Sequence, residues 1–348
     1  MTRRGADRRA ILAGALALAA CRPAAEAQPA PVRLPPLKSL ATFPVGTCVQ
    51  AAQLADPVFA ALVADQASQL TAEWEMKMEY IAADDGTLRF DAPDAIAAFA
   101  RTHDQRLFGH TLIWYAQKPA VFARLAADKA GFARAYQNYI TQVVRRYRGL
   151  AAGWDVVNEA VSEDGAGWRD SLWSQTLGPL DHMITAFHHA RDADPEAPLF
   201  LNDYNLESLP AKRATFLRLA ETLLKAGAPL SGLGTQTHIA ADLAPGALTT
   251  AIKDLASLGL LIHISEMDVS LTRARGGDRV GRQQRLYGEA AAAFSDLPAH
   301  QRFAFTHWGL RDKDSWLRRE NAADAPLLFD DLGRPKPAAA GWAEGLTA

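Results

Sequence analysis

The chain has few cysteines and little net charge, and each shortage excludes a class of protein. Only two of its 348 residues are cysteine, Cys21 and Cys48, so a scaffold held by several disulfides is excluded and no disulfide is expected. Cys48 lies in an apolar stretch, where a free cysteine usually behaves as a small core residue. The formal net charge of -2 supplies no basic face to neutralise phosphates, which argues against nucleic acid as a partner.

The apolar run at residues 10–20 is too short for a permanent membrane span. A helix of this length is about 16 Å long, whereas a bilayer requires about 20 apolar residues. Arginines at positions 3, 4, 8 and 9 precede the run, and this order is typical of an export signal. We therefore expect residues 1–27 to be a signal peptide and the protein to be periplasmic or secreted.

The processing of the signal has two interpretations. Arg8-Arg9 resembles the twin-arginine type of signal. Ala25-Glu26-Ala27 fits a cleavage site between small residues, whereas residues 18–21 resemble the lipobox of bacterial lipoproteins. The second interpretation would leave Cys21 acylated at the cell envelope, which is the only membrane attachment that the sequence suggests.

The remainder reads as a linker followed by one domain. Residues 28–42 are rich in Pro and Ala and carry neither a helical nor a strand period, which is typical of a linker. From residue 43 to 348, short apolar runs alternate with longer amphipathic segments. The runs of strand length lie at residues 45–49, 70–73, 107–114, 153–157, 199–203, 232–238, 260–267 and 302–308.

Helical patterns separate these runs. Apolar residues recur at helical spacing from Phe132 to Tyr147 and from Phe216 to Leu224, and the patterns stop near Gly149 and Gly227. Strands that alternate with helices form a parallel sheet. An open doubly wound sheet has the same local pattern, but no Gly-x-Gly-x-x-Gly motif follows the first strand. We therefore predict a single (β/α)₈ TIM barrel of the α/β class.

Polar and aromatic residues collect at the carboxyl ends of the predicted strands. In a barrel these ends meet at one mouth, where active sites lie. Burying so many polar groups in the core would be costly unless each were paired. The sequence therefore predicts one pocket, lined by Glu73, Lys77, His110, Trp114, Asn158, Glu159, Asp203, Tyr204, Gln236, His238, Glu266, Asp268 and Trp308.

Two of these residues suggest a reaction. Glu159 ends the run Trp154 to Glu159, and Glu266 lies in the run Ile264 to Val269. Alone, the first could be a helix-entry residue stabilised by the helix dipole and the second an ordinary ion-pair partner. Glycoside hydrolysis requires two carboxylates in one pocket, one to protonate the leaving oxygen and one to attack or stabilise the anomeric carbon. The pair therefore favours a glycosidase.

Seven ordered strings resemble family 10 of the glycoside hydrolases and cover nearly the whole chain after the linker. They are residues 71–77, 109–114, 154–159, 202–205, 236–238, 264–268 and 308–316. The resemblance implies a (β/α)₈ barrel without metal or another cofactor. It also implies retaining cleavage of internal bonds in β-1,4-xylan or xylo-oligosaccharides, by an enzyme that we expect to be a monomer.

The resemblance also implies roles for individual residues. Glu159 would be the acid/base and Glu266 the nucleophile, because the nucleophile must stay ionised while the acid stays protonated. Asn158 would hold the 2-hydroxyl of the sugar, and Gln236, His238 and Asp268 would orient Glu266. The other implied site residues are Lys77 and His110 on the sugar at the cleavage point, Trp114, Trp308 and Trp316 as its walls, Glu73 and Gln117 beside the next sugar outward, and Tyr204. His182, His188 and His189 lack a partner set for metal.

The chain departs from the family pattern at three positions. Trp74 stands where the family usually has Asn, Met78 replaces a usual Trp, and Tyr115 stands where a His often occurs. The Asn helps to bind the second sugar on the non-reducing side. We therefore hypothesise that the cleavage chemistry is kept but that the preferred chain length or backbone has changed.

Two other functions remain as alternatives. A related retaining barrel enzyme could act on β-glucan, mannan or short oligosaccharides, because other families also place Asn-Glu after the fourth strand. A silent carbohydrate-binding lipoprotein anchored at Cys21 belongs to another class. Against it, a binding protein needs neither the acid nor the nucleophile that Glu159 and Glu266 would supply.

Overall fold

The computed structural model describes residues 33–347, so the signal peptide and the two processing sites lie outside the described residues. Ten strands occur in this part of the chain. They are β1 (Val45–Val49), β2 (Gln69–Ala72), β3 (Arg106–Gly109), β4 (Ile113–Trp114), β5 (Ala151–Asn158), β6 (Leu199–Asp203), β7 (Gly232–Thr235), β8 (His238–Ala240), β9 (Leu261–Ser270) and β10 (Arg302–His307).

Helices connect the strands. The α-helices are Leu37–Leu40, Pro57–Gln66, Met78–Ile81, Asp91–Thr102, Ala120–Leu125, Lys129–Arg146, Leu172–Leu177, Asp181–Ala193, Pro210–Lys225, Ala247–Ala256, Arg279–Ser295, Leu317–Glu320 and Pro337–Gly345, and short 3₁₀ turns lie at Gln53–Ala55, Ala299–Gln301 and Asp312–Asp314. None of the helices in residues 33–347 is long and apolar enough to span a membrane.

Eight of the strands close into a barrel. Their order around the ring is β1, β2, β3, β5, β6, β7, β9 and β10, and β10 pairs with both β9 and β1. Every pair in the ring is parallel. The predicted (β/α)₈ barrel is therefore confirmed, and the carboxyl ends of all eight strands meet at one mouth.

Two predicted strands are each divided in the structure. The run 107–114 consists of β3 and β4, and between them Leu112 N–H donates to the Asp155 carbonyl at 3.0 Å. The run 232–238 consists of β7 and the start of β8, and between them Thr237 adopts a positive φ of 60°. In both cases the apolar run continues past the point where the backbone leaves the barrel ladder.

The helical predictions agree closely with the structure. The predicted pattern from residue 132 to 147 corresponds to the helix Lys129–Arg146, and Tyr147 is the residue that follows its end. The helix begins after Asp128, whose side chain accepts a hydrogen bond from Gly131 N–H. Gly149 follows with a φ of +74°, a conformation that favours glycine. The predicted linker is shorter than proposed, because Leu37–Leu40 are helical and the buried Leu37 donates its N–H to Gln66 Oε1 at 3.0 Å.

The floor of the barrel is an aromatic cluster at the amino-terminal ends of the strands. Phe108, Phe200 and Phe303 are buried together with His263, and the ring centroids of Phe200 and Phe303 are 4.6 Å apart. Gly232 makes room for this cluster, because a Cβ there would meet a ring carbon of Phe200 at 2.2 Å. The site above it therefore rests on a rigid apolar base. Cys48, on β1, is buried as expected.

Candidate active site

A pocket of about 390 Å³ lies at the mouth of the barrel. Most of the residues predicted for the site line it: Glu73, Lys77, His110, Trp114, Asn158, Glu159, Tyr204, Gln236, His238, Glu266, Trp308 and Trp316. They come from the ends of β2, β3, β4, β5, β6, β7, β8, β9 and β10 and from the loops that follow. Trp74, Tyr115, Asn205 and Arg273 also line the pocket.

Glu266 is a buried carboxylate on β9 that receives hydrogen bonds at both oxygens. Asn202 Nδ2 donates to Oε1 at 3.0 Å, and His238 Nε2 lies 3.3 Å from Oε2. Burial alone would raise the pKa of Glu266, but the nearby charges of His110, His238 and Lys77 outweigh it and lower the pKa to about 2. Glu266 is therefore ionised at neutral pH, as an attacking carboxylate requires.

His238 is held between two carboxylates. Its Nδ1 lies 2.9 Å from Asp268 Oδ2, and the same oxygen accepts a hydrogen bond of 2.8 Å from Trp316 Nε1. Burial opposes charging of the ring, but Asp268 and Glu266 together raise the pKa of His238 to about 10. As an imidazolium, His238 can donate to both carboxylates and so fix the orientation of Glu266. Asp268 acts through His238 and does not itself line the pocket.

Glu159 lies at the end of β5 in a strained backbone conformation. Its φ is 59°, in the left-handed region that bulky residues rarely adopt. Arg169 Nε donates to the Glu159 carbonyl at 3.0 Å, which helps to hold this conformation. Such strain persists only where the surroundings impose it, and it is concentrated at functional sites.

The side chain of Glu159 is oriented by two amides. Gln236 Nε2 donates to Glu159 Oε1 at 3.0 Å, and Asn158 Nδ2 donates to the same oxygen at 3.3 Å. The expectation that Gln236 would orient Glu266 was therefore wrong. The reason is geometric: Gln236 follows β7, and its amide reaches the Asn158–Glu159 end of β5 across β6.

A chain of amides connects the two glutamates. Asn202 Nδ2 donates to Asn158 Oδ1 at 2.9 Å as well as to Glu266, and Asn202 Oδ1 accepts a bond of 2.8 Å from Ser265 Oγ. Gly234 provides the space, because a Cβ there would meet Asn202 Oδ1 at 2.3 Å. Sequence reasoning did not give Asn202 a role. Its place at the end of an apolar run, before Asp203 and Tyr204, was the available signal.

A second buried pair supports the pocket beside Glu266. His110 Nδ1 lies 2.8 Å from Asp155 Oδ2, and His110 Nε2 lies 4.0 Å from Glu266 Oε1. Burial raises the pKa of Asp155 to about 6, although the hydrogen bond and charge of His110 oppose the rise. Asp155 thus fixes the ring of His110 towards Glu266. The role of Asp155 was not predicted, because Asp155 lies within a strand whose other residues are mostly apolar.

Lys77 is a buried cation among aromatic rings. Its Nζ lies 4.6 Å from the ring centroid of Trp74, 4.9 Å from that of Trp114 and 5.8 Å from that of Trp308. Burial lowers the pKa of Lys77, although Glu266 and the other nearby carboxylates oppose the change. Lys77 therefore presents a donor to the pocket, which it lines together with Trp74, Trp114 and Trp308.

Besides Asp268, two residues predicted for the site do not line the pocket. Asp203 is fully buried, with its Oδ1 3.0 Å from Lys212 Nζ. Gln117 is buried, and its Oε1 accepts a hydrogen bond of 3.0 Å from Glu79 N–H. It is not among the residues that line the pocket. The backbone N–H of Gln117 donates to the Trp114 carbonyl at 3.3 Å, and its side chain is held at Glu79 instead of facing the pocket. The expectation that Gln117 contacts substrate is not supported.

The site contains aromatic walls, hydrogen-bond donors and two buried carboxylates joined by amides. No group of three or more potential metal ligands occurs among residues 33–347. Aromatic faces pack against the C–H faces of sugars, and a pair of carboxylates is the machinery of glycosidic bond cleavage. Barrel and site together define a glycoside hydrolase.

The chain belongs to glycosyl hydrolase family 10, whose model matches residues 37–344. An endo-1,4-beta-xylanase A of Thermoanaerobacterium saccharolyticum is 34% identical over 312 residues, which are 85% of this chain and 26% of that protein. The chain thus spans about a quarter of that relative. An endo-1,4-beta-xylanase of Geobacillus stearothermophilus is 35% identical over 291 residues, which are 78% of this chain and 86% of that protein.

A solved structure has the same fold. The xylanase 10B of Thermotoga petrophila RKU-1, in complex with xylobiose, superposes with a TM-score of 0.83 at 29% identity, covering 91% of this chain and 98% of that one. Family membership, as inferred from the seven strings, is therefore confirmed.

Proposed function

We propose that the protein is a retaining endo-1,4-beta-xylanase that hydrolyses internal bonds of xylan or xylo-oligosaccharides by double displacement. The observation that carries this proposal is the pair Glu159 and Glu266 in one pocket, connected through Asn158 and Asn202. Relatives named as xylanases match the barrel across most of its length.

In the first displacement the two carboxylates have different roles. The ionised Glu266 attacks the anomeric carbon, the bond to the leaving oxygen breaks, and Glu159 gives that oxygen its proton. His238, charged at neutral pH, keeps Glu266 ionised and aimed until it attacks. The product is a glycosyl ester on Glu266 and a shortened chain with a new hydroxyl group.

The second displacement reverses the roles. Glu159, now a carboxylate, takes a proton from water, and the water oxygen attacks the anomeric carbon and releases Glu266. The amides of Asn158 and Gln236 meet Glu159 at the same oxygen, Oε1, and so hold the carboxyl group in place while its other oxygen exchanges the proton. Two inversions at one carbon retain the β configuration.

The reaction is tested with the full-length chain on β-1,4-xylan, β-glucan and mannan, by release of reducing sugar. We expect release from xylan and its loss by a factor of roughly 10⁴ or more in Glu266→Ala, because the nucleophile is removed. Glu221→Ala, on the exposed face of the helix Pro210–Lys225, is the matched control. Activity on another polymer but not on xylan would overturn the substrate.

The stereochemistry is tested by proton NMR during the first minutes of hydrolysis of a xylo-oligosaccharide. Retention predicts that the β-anomer of the new reducing end appears first and then mutarotates. Initial appearance of the α-anomer would contradict the double displacement.

We also propose that the protein is exported and acts as a monomer. The charged and apolar segments of residues 1–20 support export, and both processing sites remain candidates. Mass spectrometry of protein from the native host distinguishes them: a mature end after Ala27 would establish cleavage, and an acylated Cys21 would establish a lipid anchor. Sedimentation of the mature protein tests the oligomeric state.

A further inference from the structure

The side of the pocket that follows β2 is lined by Glu73, whose carboxylate is already paired. Glu73 Oε1 receives a hydrogen bond of 3.0 Å from Arg319 Nη2, and Glu73 Oε2 receives one of 2.9 Å from Gln50 Nε2. Glu73 is almost fully buried, so breaking either contact to bind a sugar would leave a buried group unpaired. The Glu73 carboxylate therefore stabilises the side of the pocket and does not bind a sugar.

Trp74 lines the pocket on the same side. Arg319 Cζ lies 5.0 Å from its ring centroid and Lys77 Nζ lies 4.6 Å from it. Tyr80 packs beside the same ring with a centroid distance of 6.1 Å. Cation contacts of this kind stabilise the position of an aromatic ring. Trp74 is thus fixed directly next to Lys77, in the lining of the pocket that Glu159 and Glu266 share.

The opposite side of the pocket is open. Asn205, His238 and Arg273 line both the pocket and a second depression of about 410 Å³. Asp242 and Leu243 line the outer part of that depression. The groove therefore extends past β6 and β8, whereas β2 lies across the barrel, four strands from β7 in the ring of eight.

The position of the acid determines which part of a substrate occupies each side. Glu159 protonates the leaving oxygen, so the leaving sugars lie on its side of the pocket. Tyr204 and Asn205 form that side, at the end of β6, the strand next to Glu159 on β5. The open groove accordingly receives the leaving part of the chain, and the side lined by Glu73 and Trp74 faces its non-reducing end.

We propose that Trp74, held by Arg319 and Lys77, narrows the cleft on the non-reducing side beyond the first sugar, so that a second sugar there contributes little binding. Binding that depends on chain length then comes from the leaving-group side, and bonds near the non-reducing end are cut in preference to bonds in the middle of a chain. This inference rests on the proposed function and narrows it to a specificity-determining residue.

The test uses xylotetraose labelled with ¹⁸O at its reducing end and mass spectrometry of the first products. The full-length protein is expected to release mainly unlabelled xylose and labelled xylotriose. Trp74→Ala should make room for a second sugar on the non-reducing side and raise the ratio of xylobiose to xylose among the unlabelled products by about tenfold. Trp74→Asn should change the ratio in the same direction, and Arg319→Ala should do so to a smaller extent.

Trp168→Ala is the matched control, because Trp168 is an exposed tryptophan outside the pocket. It should give the pattern of the unmodified protein. Two results would overturn the proposed role of Trp74 while leaving the proposed function in place. One is cleavage of xylotetraose mainly at its middle bond by the unmodified protein, and the other is an unchanged ratio of xylobiose to xylose in both Trp74 variants. Failure of the unmodified protein to cleave any xylo-oligosaccharide or xylan would overturn both the proposed function and the proposed role of Trp74.

Discussion

The mouth and the floor of the barrel use the same strands in opposite ways. At the mouth, β6 carries Asn202 within a network of amides and carboxylates, whereas at the floor the same strand carries Phe200 within an aromatic cluster. On β7, Gly234 leaves room for the first and Gly232 for the second. One strand thus provides a polar site and an apolar base only two residues apart.

Two histidines on the same barrel show the consequence of this difference. His238 at the mouth faces two carboxylates, which raise its pKa to about 10 against the effect of burial. His263 at the floor is buried among phenylalanines, and burial lowers its pKa to about 3. Burial is common to both residues, so the neighbouring groups decide which form of the ring is present at neutral pH.

The largest expected effect tests the mouth. Glu159→Ala should reduce kcat/KM on xylo-oligosaccharides by roughly 10²–10⁴-fold, because the leaving oxygen must depart without a proton. The loss should be small for a dinitrophenyl β-xyloside, whose leaving group needs no acid. Added azide should then yield a β-glycosyl azide, measurable by NMR. An equal loss on both substrates would contradict the assignment of Glu159 as the acid.

The next effect tests the floor. Phe200→Ala should lower the free energy of unfolding by about 3–5 kcal/mol, because it leaves a cavity in the aromatic cluster. Activity of the folded protein at low temperature should change little, since Phe200 lies below the site. Urea titration together with xylan hydrolysis measures both. Phe99→Ala, at a partly buried ring outside the cluster, is the control for loss of aromatic area.

A smaller effect concerns the pH dependence at the mouth. His238→Asn removes a positive charge that helps to lower the pKa of Glu266, so that pKa should rise. The acid limb of kcat/KM should consequently move to higher pH by about one unit. A mutant that loses activity equally at every pH would indicate a merely structural role for His238.

The last effect compares the two histidines through stability. Because the pKa of His263 is lowered in the folded protein, its contribution opposes folding below its unfolded pKa of about 6.5. His263→Gln should therefore make the unfolding free energy less dependent on pH between 3 and 6.5. The pKa of His238 is raised, so its stabilisation is fully present below about 6.5 and is lost as the pH rises towards 10.

Urea unfolding of the two variants at several pH values measures this opposition. Relative to the unmodified protein, the His263 variant should gain about 1 kcal/mol or more on going from pH 7 to pH 5, once the cost of the lost Thr306 contact is taken as constant. The His238 variant should be most destabilised below pH 7. A change of the same sign in the unfolding free energy of both variants between pH 7 and pH 5, relative to the unmodified protein, would contradict the opposite pKa shifts of the two histidines.

The sequence by itself determined the barrel, the family and the two glutamates that we propose as catalytic. Alternating apolar runs and helices force parallel strands, and Asn158-Glu159 and Glu266 stand at strand ends where a barrel must gather them. These features are local, because each depends on the order of residues along one strand and its neighbouring loop.

Only the tertiary structure decided which groups meet across the barrel. Gln236 contacts Glu159 instead of Glu266, Asn202 connects the two glutamates, and Arg319 reaches Glu73 from 246 residues away. The order of the strands around the barrel decides which of these side chains meet. A side chain on a different strand, or in a different rotamer, would have a different hydrogen-bond partner. The chemical groups of the site are therefore encoded locally, whereas their orientation and the contacts that hold Trp74 arise from packing.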